Sequence, residues 1–160
     1  MTIRTATLND LDEITAVEAL CFPAAEAAPR ESFEKRLEYF PDRFWLAEED
    51  GKLVGFLNGF LSEQQTITDE MYDHAEQHCP DGGYQGIFGL DTRPGWGHRG
   101  IASALMNHVI GQCRAEGRKG LFLTCKQELI PFYERFGYRN QGVSESVHGG
   151  VVWYDMLLEL

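Results

Sequence analysis

Along the first forty residues, apolar and polar positions alternate and then switch period. TIRTAT, residues 2–7, repeats every second residue and predicts a short strand. Thr7 and Asp10 then stand at capping-box spacing, and Leu11, Ile14, Val17 and Leu20 recur at helical intervals, so a helix is predicted through about residue 20. Cys21-Phe22-Pro23 ends that period. The small-residue segment AAEAA follows, and Pro29 takes a position tolerated in a first helical turn ahead of a second helix, RESFEKRLEYF. Two apolar runs, 43–49 and 52–62, flank Asp50-Gly51, the strongest short-range hairpin signal, and predict an antiparallel pair.

The segment 63–83 is polar. It predicts a short helix around DEMYDHAEQH and a loop at Pro80-Asp-Gly-Gly83. YQGIFGLDT then predicts one apolar strand. After a glycine-rich loop, Ile101, Leu105, Val109 and Cys113 lie at helical spacing, Gly117 stops the helix, and KGLFLTC reads as a strand. A short helix over IPFYERF and strands near YRNQGV and GVVWYDMLLEL complete the order βααβββαβαββ. That order predicts an α+β architecture over one domain, 1–160, with a mixed sheet of about 6–7 strands and about four helices packed on it.

Composition narrows the function. With 160 residues, 43% hydrophobic and 24% charged, the chain can bury a real core. A formal net charge of −11 disfavours a nucleic-acid partner and suits a cationic or neutral small substrate. No run is long and apolar enough to span a bilayer and no signal pattern opens the chain, so a cytoplasmic protein without a membrane partner is expected. Cys21, Cys79, Cys113 and Cys125 are scattered without paired spacing and read as reduced thiols.

The stretch GWGHRG, residues 95–100, fits G-x-G-x-x-G. A dinucleotide site also needs the first βα turn, a ribose-binding acid after the next strand, and more βαβ units. Here a hairpin precedes the loop, and the next strand ends at Thr124-Cys125. A triphosphate P-loop needs Lys-Ser/Thr after its glycine, where Ile101-Ala102 stand. What survives is the physics of backbone amides at a helix N-terminus, which favours a pyrophosphate such as that of coenzyme A.

GLDTRPGWGHRGIASALM followed by LFLTCKQELIPFYERFGY resembles the GNAT superfamily of N-acetyltransferases. In that family R/Q-x-x-G-x-G/A between a strand and a helix cradles the acetyl-CoA pyrophosphate. The pattern falls on Gly97-His98-Arg99-Gly100-Ile101-Ala102, matching at Gly100 and Ala102 and departing at Gly97, where the family has Arg or Gln. Phe132-Tyr133-Glu134-Arg135-Phe136-Gly137-Tyr138 resembles the family's helix and turn after its fifth strand. CFPAAEAA and LVGFLNGFL look closest to the arylalkylamine N-acetyltransferase branch.

The resemblance implies an acetyl-CoA-dependent N-acetyltransferase acting on a small primary amine, with direct attack in a ternary complex and no metal. The implied coenzyme contacts are Leu90, Asp91 and Thr92 on the fourth strand, then Gly97, His98, Arg99, Gly100, Ile101, Ala102 and Ser103, with Lys126, Tyr133 and Arg135 beyond. Tyr133 takes the role of general acid toward the departing thiolate, and a backbone N–H near Leu90–Thr92 meets the oxyanion. The two histidines of the arylalkylamine enzymes fall on Gly86 and Phe88, so the base lies elsewhere. Glu26 ranks first, ahead of Asp91, Glu63 and His148, with a water relay as open as direct contact. His74 and His78 read as a solvated helical face, and Trp45, Phe56, Phe60 and Trp153 as core or pocket wall. The competing class is a non-catalytic acyl-CoA-binding module. Chains pairing through the C-terminal strand as a homodimer stay open.

Overall fold

The computed structural model describes residues 1–160. Strand β1 (Thr2–Thr5) leads through a 3-10 turn into helix α1 (Leu11–Cys21), followed by α2 (Arg30–Tyr39). The capping box forms as its spacing predicts, with Asp10 accepting from the Thr7 N–H at 2.8 Å. Leu11, Ile14 and Val17 pack with Phe33 and Leu37 of α2 over Phe44 and Phe56. Leu20, expected on that face, is 59% exposed. At 3.6 residues per turn it falls roughly a third of a turn from the stripe, and Glu18 takes the inward position instead.

Strands β2 (Phe44–Glu49) and β3 (Lys52–Asn58) form the expected hairpin, with Asp50 at φ 51° and Gly51 at φ 76°. The apolar run does not continue as one strand to residue 62. Gly59 carries the chain into β4 (Leu61–Ser62), which belongs to a second sheet. A Cβ at Gly59 would sit 1.8 Å from the Gly86 carbonyl oxygen, so only glycine permits the crossing. The expected strand over 84–92 breaks likewise at Phe88, into β5 (Tyr84–Ile87) and β6 (Gly89–Thr92).

The chain continues with α3 (Ile101–Ala115), β7 (Gly120–Cys125), α4 (Ile130–Glu134), β8 (Arg139–Val143) and β9 (Tyr154–Glu159). In place of one sheet there are two, a four-stranded one ordered β1-β2-β3-β6 and a five-stranded one ordered β4-β5-β7-β9-β8. Only β5 and β7 pair in parallel. The class is the α+β arrangement that the element order predicts.

The helix expected within 63–83 is replaced by 3-10 turns at Asp69–Asp73 and Ala75–Gln77. His74 between them sits at φ −127°, ψ 65°, outside the helical region, and the turning chain lets Ile67, Met71 and Ala75 all pack with Phe40 and Phe60. Helix α3 buries Leu105, Met106, Val109 and Cys113 on one face of the sheets, while α1 and α2 cover the other. The parallel pairing of β5 with β7 ends at Ile87 and Leu123. Beyond it β6 follows β3, and Thr124 and Cys125 stay with β9, so the sheets part in a wedge. No helix is long and apolar enough to cross a membrane.

Candidate active site

The glycine loop joins β6 to α3. Its start is anchored: the Arg93 N–H donates to Val54 O at 2.7 Å and its Nε to Leu53 O at 2.7 Å, turning that guanidinium away from the loop. After the Trp96 N–H, which donates to Arg93 O, no backbone N–H from Gly97 through Ser103 has a protein acceptor. His98 at φ 61° and Gly100 at φ 78° turn the chain so that these amides precede a 15-residue helix. Free N–H groups and the helix dipole together make an anion site. Gly97 and Gly100 have nothing within 4 Å of where a Cβ would stand, which leaves approach room. Arg99 lies over the Trp96 ring at 4.6 Å, held beside the loop as a mobile-stemmed cation. Gly97, His98, Arg99, Gly100, Ile101, Ala102 and Ser103 thus lie together on one loop and helix start, a donor set whose chemistry fits a pyrophosphate.

The wedge supplies a second set of donors. Ladder bonds alternate along an antiparallel pair, and the Arg93 N–H to Val54 bond sets the phase. Asp91 therefore turns its backbone groups to β3, while Leu90 turns its N–H to the open edge. Side chains alternate too: Leu90 packs toward α3, whereas Asp91 faces the α1 and α2 layer beside Phe56. Expected as a coenzyme contact, Asp91 instead has its carboxyl 1% exposed on the opposite face.

A cavity of about 280 Å³ fills the wedge. Tyr133 and Leu129 line it on the α3 side, and Glu18, Phe22, Glu26 and Arg36 on the other, so it passes through the opened sheet. Tyr133 is buried, and burial raises its phenol well above the ordinary value, which keeps it protonated at neutral pH. Glu26 and Tyr133 line the same cavity. Its Oε1 lies 2.7 Å from Lys126 Nζ, a contact that is an ion pair rather than an aligned hydrogen bond. Lys126, expected among the coenzyme contacts, is engaged by that pair, its Nζ 6.0 Å from the Trp153 ring centre. Arg135 stacks on Phe132 at 5.2 Å.

His148 reaches the same cavity. Its Nε2 lies 2.8 Å from the Glu26 carbonyl, its ring stacks on Tyr72 at 4.9 Å, and Trp153 Nε1 donates to its carbonyl. A carbonyl only accepts, so in the neutral ring Nε2 carries the proton. Glu63 is spent elsewhere, accepting from the Gly83 N–H at 2.9 Å. His74 pairs with Glu76, while His78 accepts from the Leu61 N–H, so the two histidines diverge. Trp45, Phe56 and Phe60 are core, and Trp153 is wall.

Glu18, Arg36, Asn58 and Tyr72 line the cavity without having been singled out from the sequence. Arg36 is buried, with Nη1 donating to Asn58 Oδ1 and Nη2 to Tyr72 O, both at 3.0 Å. The available signal was a charge on an apolar helix face: Glu18 beside Val17, and Arg36 between Phe33 and Leu37.

The chain is similar to several known proteins. Serotonin N-acetyltransferase of Mesocricetus auratus is 28% identical over 115 residues, 70% of this chain and 53% of that protein. A probable hydrolase of Bacillus subtilis, YhcX, is 34% identical over 91 residues, 51% of this chain but 17% of that protein. The chain thus spans about half of one of these relatives and a sixth of the other. Among solved structures, the GphF GNAT-like decarboxylase in complex with isobutyryl-CoA superposes with a TM-score of 0.83 at 19% identity, covering 99% of both chains. Residues 11–138, which run from the first turn of α1 through the amide loop and Tyr133 to Tyr138, match the acetyltransferase (GNAT) family, and the chain belongs to that family.

Proposed function

We propose that this protein transfers the acetyl group of acetyl-CoA to a small primary amine, which attacks the thioester directly in a ternary complex. The observation that carries the reading is the cavity through the wedge. One end opens beside Tyr133 and the Leu90 edge, and the other is walled by Phe22, Tyr72, Phe88 and Trp153. Lys126 neutralises Glu26, and Arg36 offsets Glu18, which leaves Asp69 and Asp73 as uncompensated charges on that wall. An acidic, aromatic pocket suits an ammonium carried on an apolar or aromatic body.

The chain's own groups divide the work. The amides of Gly97–Ser103 and Arg99 hold the pyrophosphate of the co-substrate. The Leu90 N–H meets the thioester oxygen as charge develops there. Tyr133 donates its phenolic proton to the departing thiolate, whose conjugate acid titrates at roughly 8.5, and regains one from the nitrogen that has attacked. Coenzyme A release from acetyl-CoA, followed across a panel of amines, tests the reading. Turnover with one class of amine is the expected result, and no turnover with any of them would overturn it.

A further inference from the structure

Glu18 and Asp91 form a buried carboxyl pair that no step above uses. Glu18 is 7% exposed and lines the cavity from α1, its Oε2 fixed at 2.8 Å by the Ala28 N–H. Asp91 faces it from β6, on which α1 packs, is 1% exposed, and neither of its oxygens has a hydrogen-bond partner. Glu18 is the carboxyl whose charge bears most on it. Two neighbouring buried carboxyls are held together when one keeps a proton and offers it to the other. The enclosed oxygen pair of Asp91 has the stronger reason to keep it, since its alternative is a buried charge without any donor. Glu18, with a backbone donor and a face on the cavity, holds the charge. Arg36, buried between Phe33 and Phe88, completes a cluster that sums to neutral.

We infer that Glu18 is the base that takes the proton of the acceptor's ammonium, and that Asp91 is a neutral acid whose O–H positions the Glu18 carboxylate for it. The inference rests on the acetyltransferase reading. In the step, an N–H bond of the ammonium breaks and an O–H bond of Glu18 forms. The freed nitrogen lone pair attacks the thioester, and Glu18 later yields its proton to water through the cavity mouth. Burial, then the Glu18 charge, raises Asp91 well above the ordinary carboxylate range, in keeping with this assignment. The other titratable or charged groups that bear on the pair are Cys21 on α1, Arg36 on α2 and Tyr133 on α4, while Tyr72 and Asp73 on the 3-10 turn bear on Arg36. Glu26 is the weaker candidate because the Lys126 ammonium already sits on its carboxylate.

The test is the pH dependence of kcat/KM for wild type, Glu18→Gln, Asp91→Asn and Asp91→Leu, with acetyl-CoA binding measured in parallel by thermal shift. Glu18→Gln is expected to bind acetyl-CoA as wild type does and to lose about 100-fold or more at neutral pH. The loss should shrink as pH rises toward the acceptor's own pKa, where the amine arrives already deprotonated. Asp91→Asn keeps an N–H donor toward Glu18 and should retain most of the rate, whereas Asp91→Leu removes the donor and should lower kcat without changing the KM for acetyl-CoA. A Glu18→Gln enzyme with wild-type rates and profile overturns the base assignment. An Asp91→Asn enzyme as damaged as Asp91→Leu overturns the neutral acid. Inactivity of the wild type toward every amine overturns the acetyltransferase reading and the base role with it. Carboxyl carbon NMR then still reports whether the pair shares a proton at pH 7, and two ionised carboxylates there would overturn the pair itself.

Discussion

Gly59→Ala tests the crossing on which the wedge depends. The new methyl carbon would stand 1.8 Å from Gly86 O, 2.6 Å from Gly86 C and 2.8 Å from Ile87 Cα. All of these are backbone atoms of the neighbouring strand, and carbon atoms prefer roughly 3.5–4.0 Å, so the strands must part by more than an ångström. The displacement strikes the bonds that tie the crossing together, Gly86 N–H to Phe60 O and Phe88 N–H to Asn58 O, both 2.8 Å. Overpacking costs about 1–3 kcal/mol. Each buried bond left unmade costs about 1–3 kcal/mol more. With both bonds lost the total of about 3–9 kcal/mol is a large share of a stability of roughly 5–15 kcal/mol. For a chain of this length it lowers the melting temperature by about 10–30 °C. Gly111→Ala is the matched control: it lies inside α3 with nothing within 4 Å of its Cβ site, and should gain about 0.5–1 kcal/mol. Differential scanning calorimetry of both variants reads the difference. A Gly59→Ala protein melting within about 2 °C of wild type, on that same scale, would refute the claim that only glycine fits there.

Three further outcomes are expected. Tyr133→Phe should lower kcat by about 100-fold or more while acetyl-CoA binding persists, because the ring still packs among Phe132 and Tyr138 but has no proton to give; steady-state kinetics with a thermal-shift titration checks it. Gly97→Arg restores the family's side-chain donor at a position with open space around it, so the Kd for coenzyme A should fall about tenfold, read by calorimetric titration. Asp91 has a folded pKa above its ordinary 3.8, so its contribution to stability is fully present below that value and is lost as pH rises toward the raised one. Asp91→Asn should remove this loss, and its melting temperature relative to wild type should climb between pH 4 and pH 8; a constant difference would refute the assignment.

The helices α1, α2 and α3, the Asp50-Gly51 hairpin and the amide loop were legible in the sequence because each rests on local rules. Period, capping spacing, and glycine at positive φ act within a few residues. The same local reading ran one strand over 52–62 and another over 84–92, since nothing in either run marks where it changes partner. Gly59 and Phe88 are break points only because two strands approach each other there. Likewise Leu20 and Glu18 both border the α1 stripe in the sequence, and packing on β6 decides that the carboxyl turns inward.

The site divides along the same line. Tyr133 and residues 97–103 could be singled out because a contiguous motif carries them, and backbone amides are presented wherever the chain turns correctly. The Glu26–Lys126 pair joins residues a hundred positions apart, and the facing of Glu18 with Asp91 joins the first helix to the sixth strand. Neither has a local signature. By itself the sequence determined the family, the order of the four helices and the glycine loop ahead of the third, all products of short-range geometry. Tertiary structure alone decided which carboxylates are neutralised, which are buried together and which face the cavity, because charge pairing and desolvation depend on distance in space.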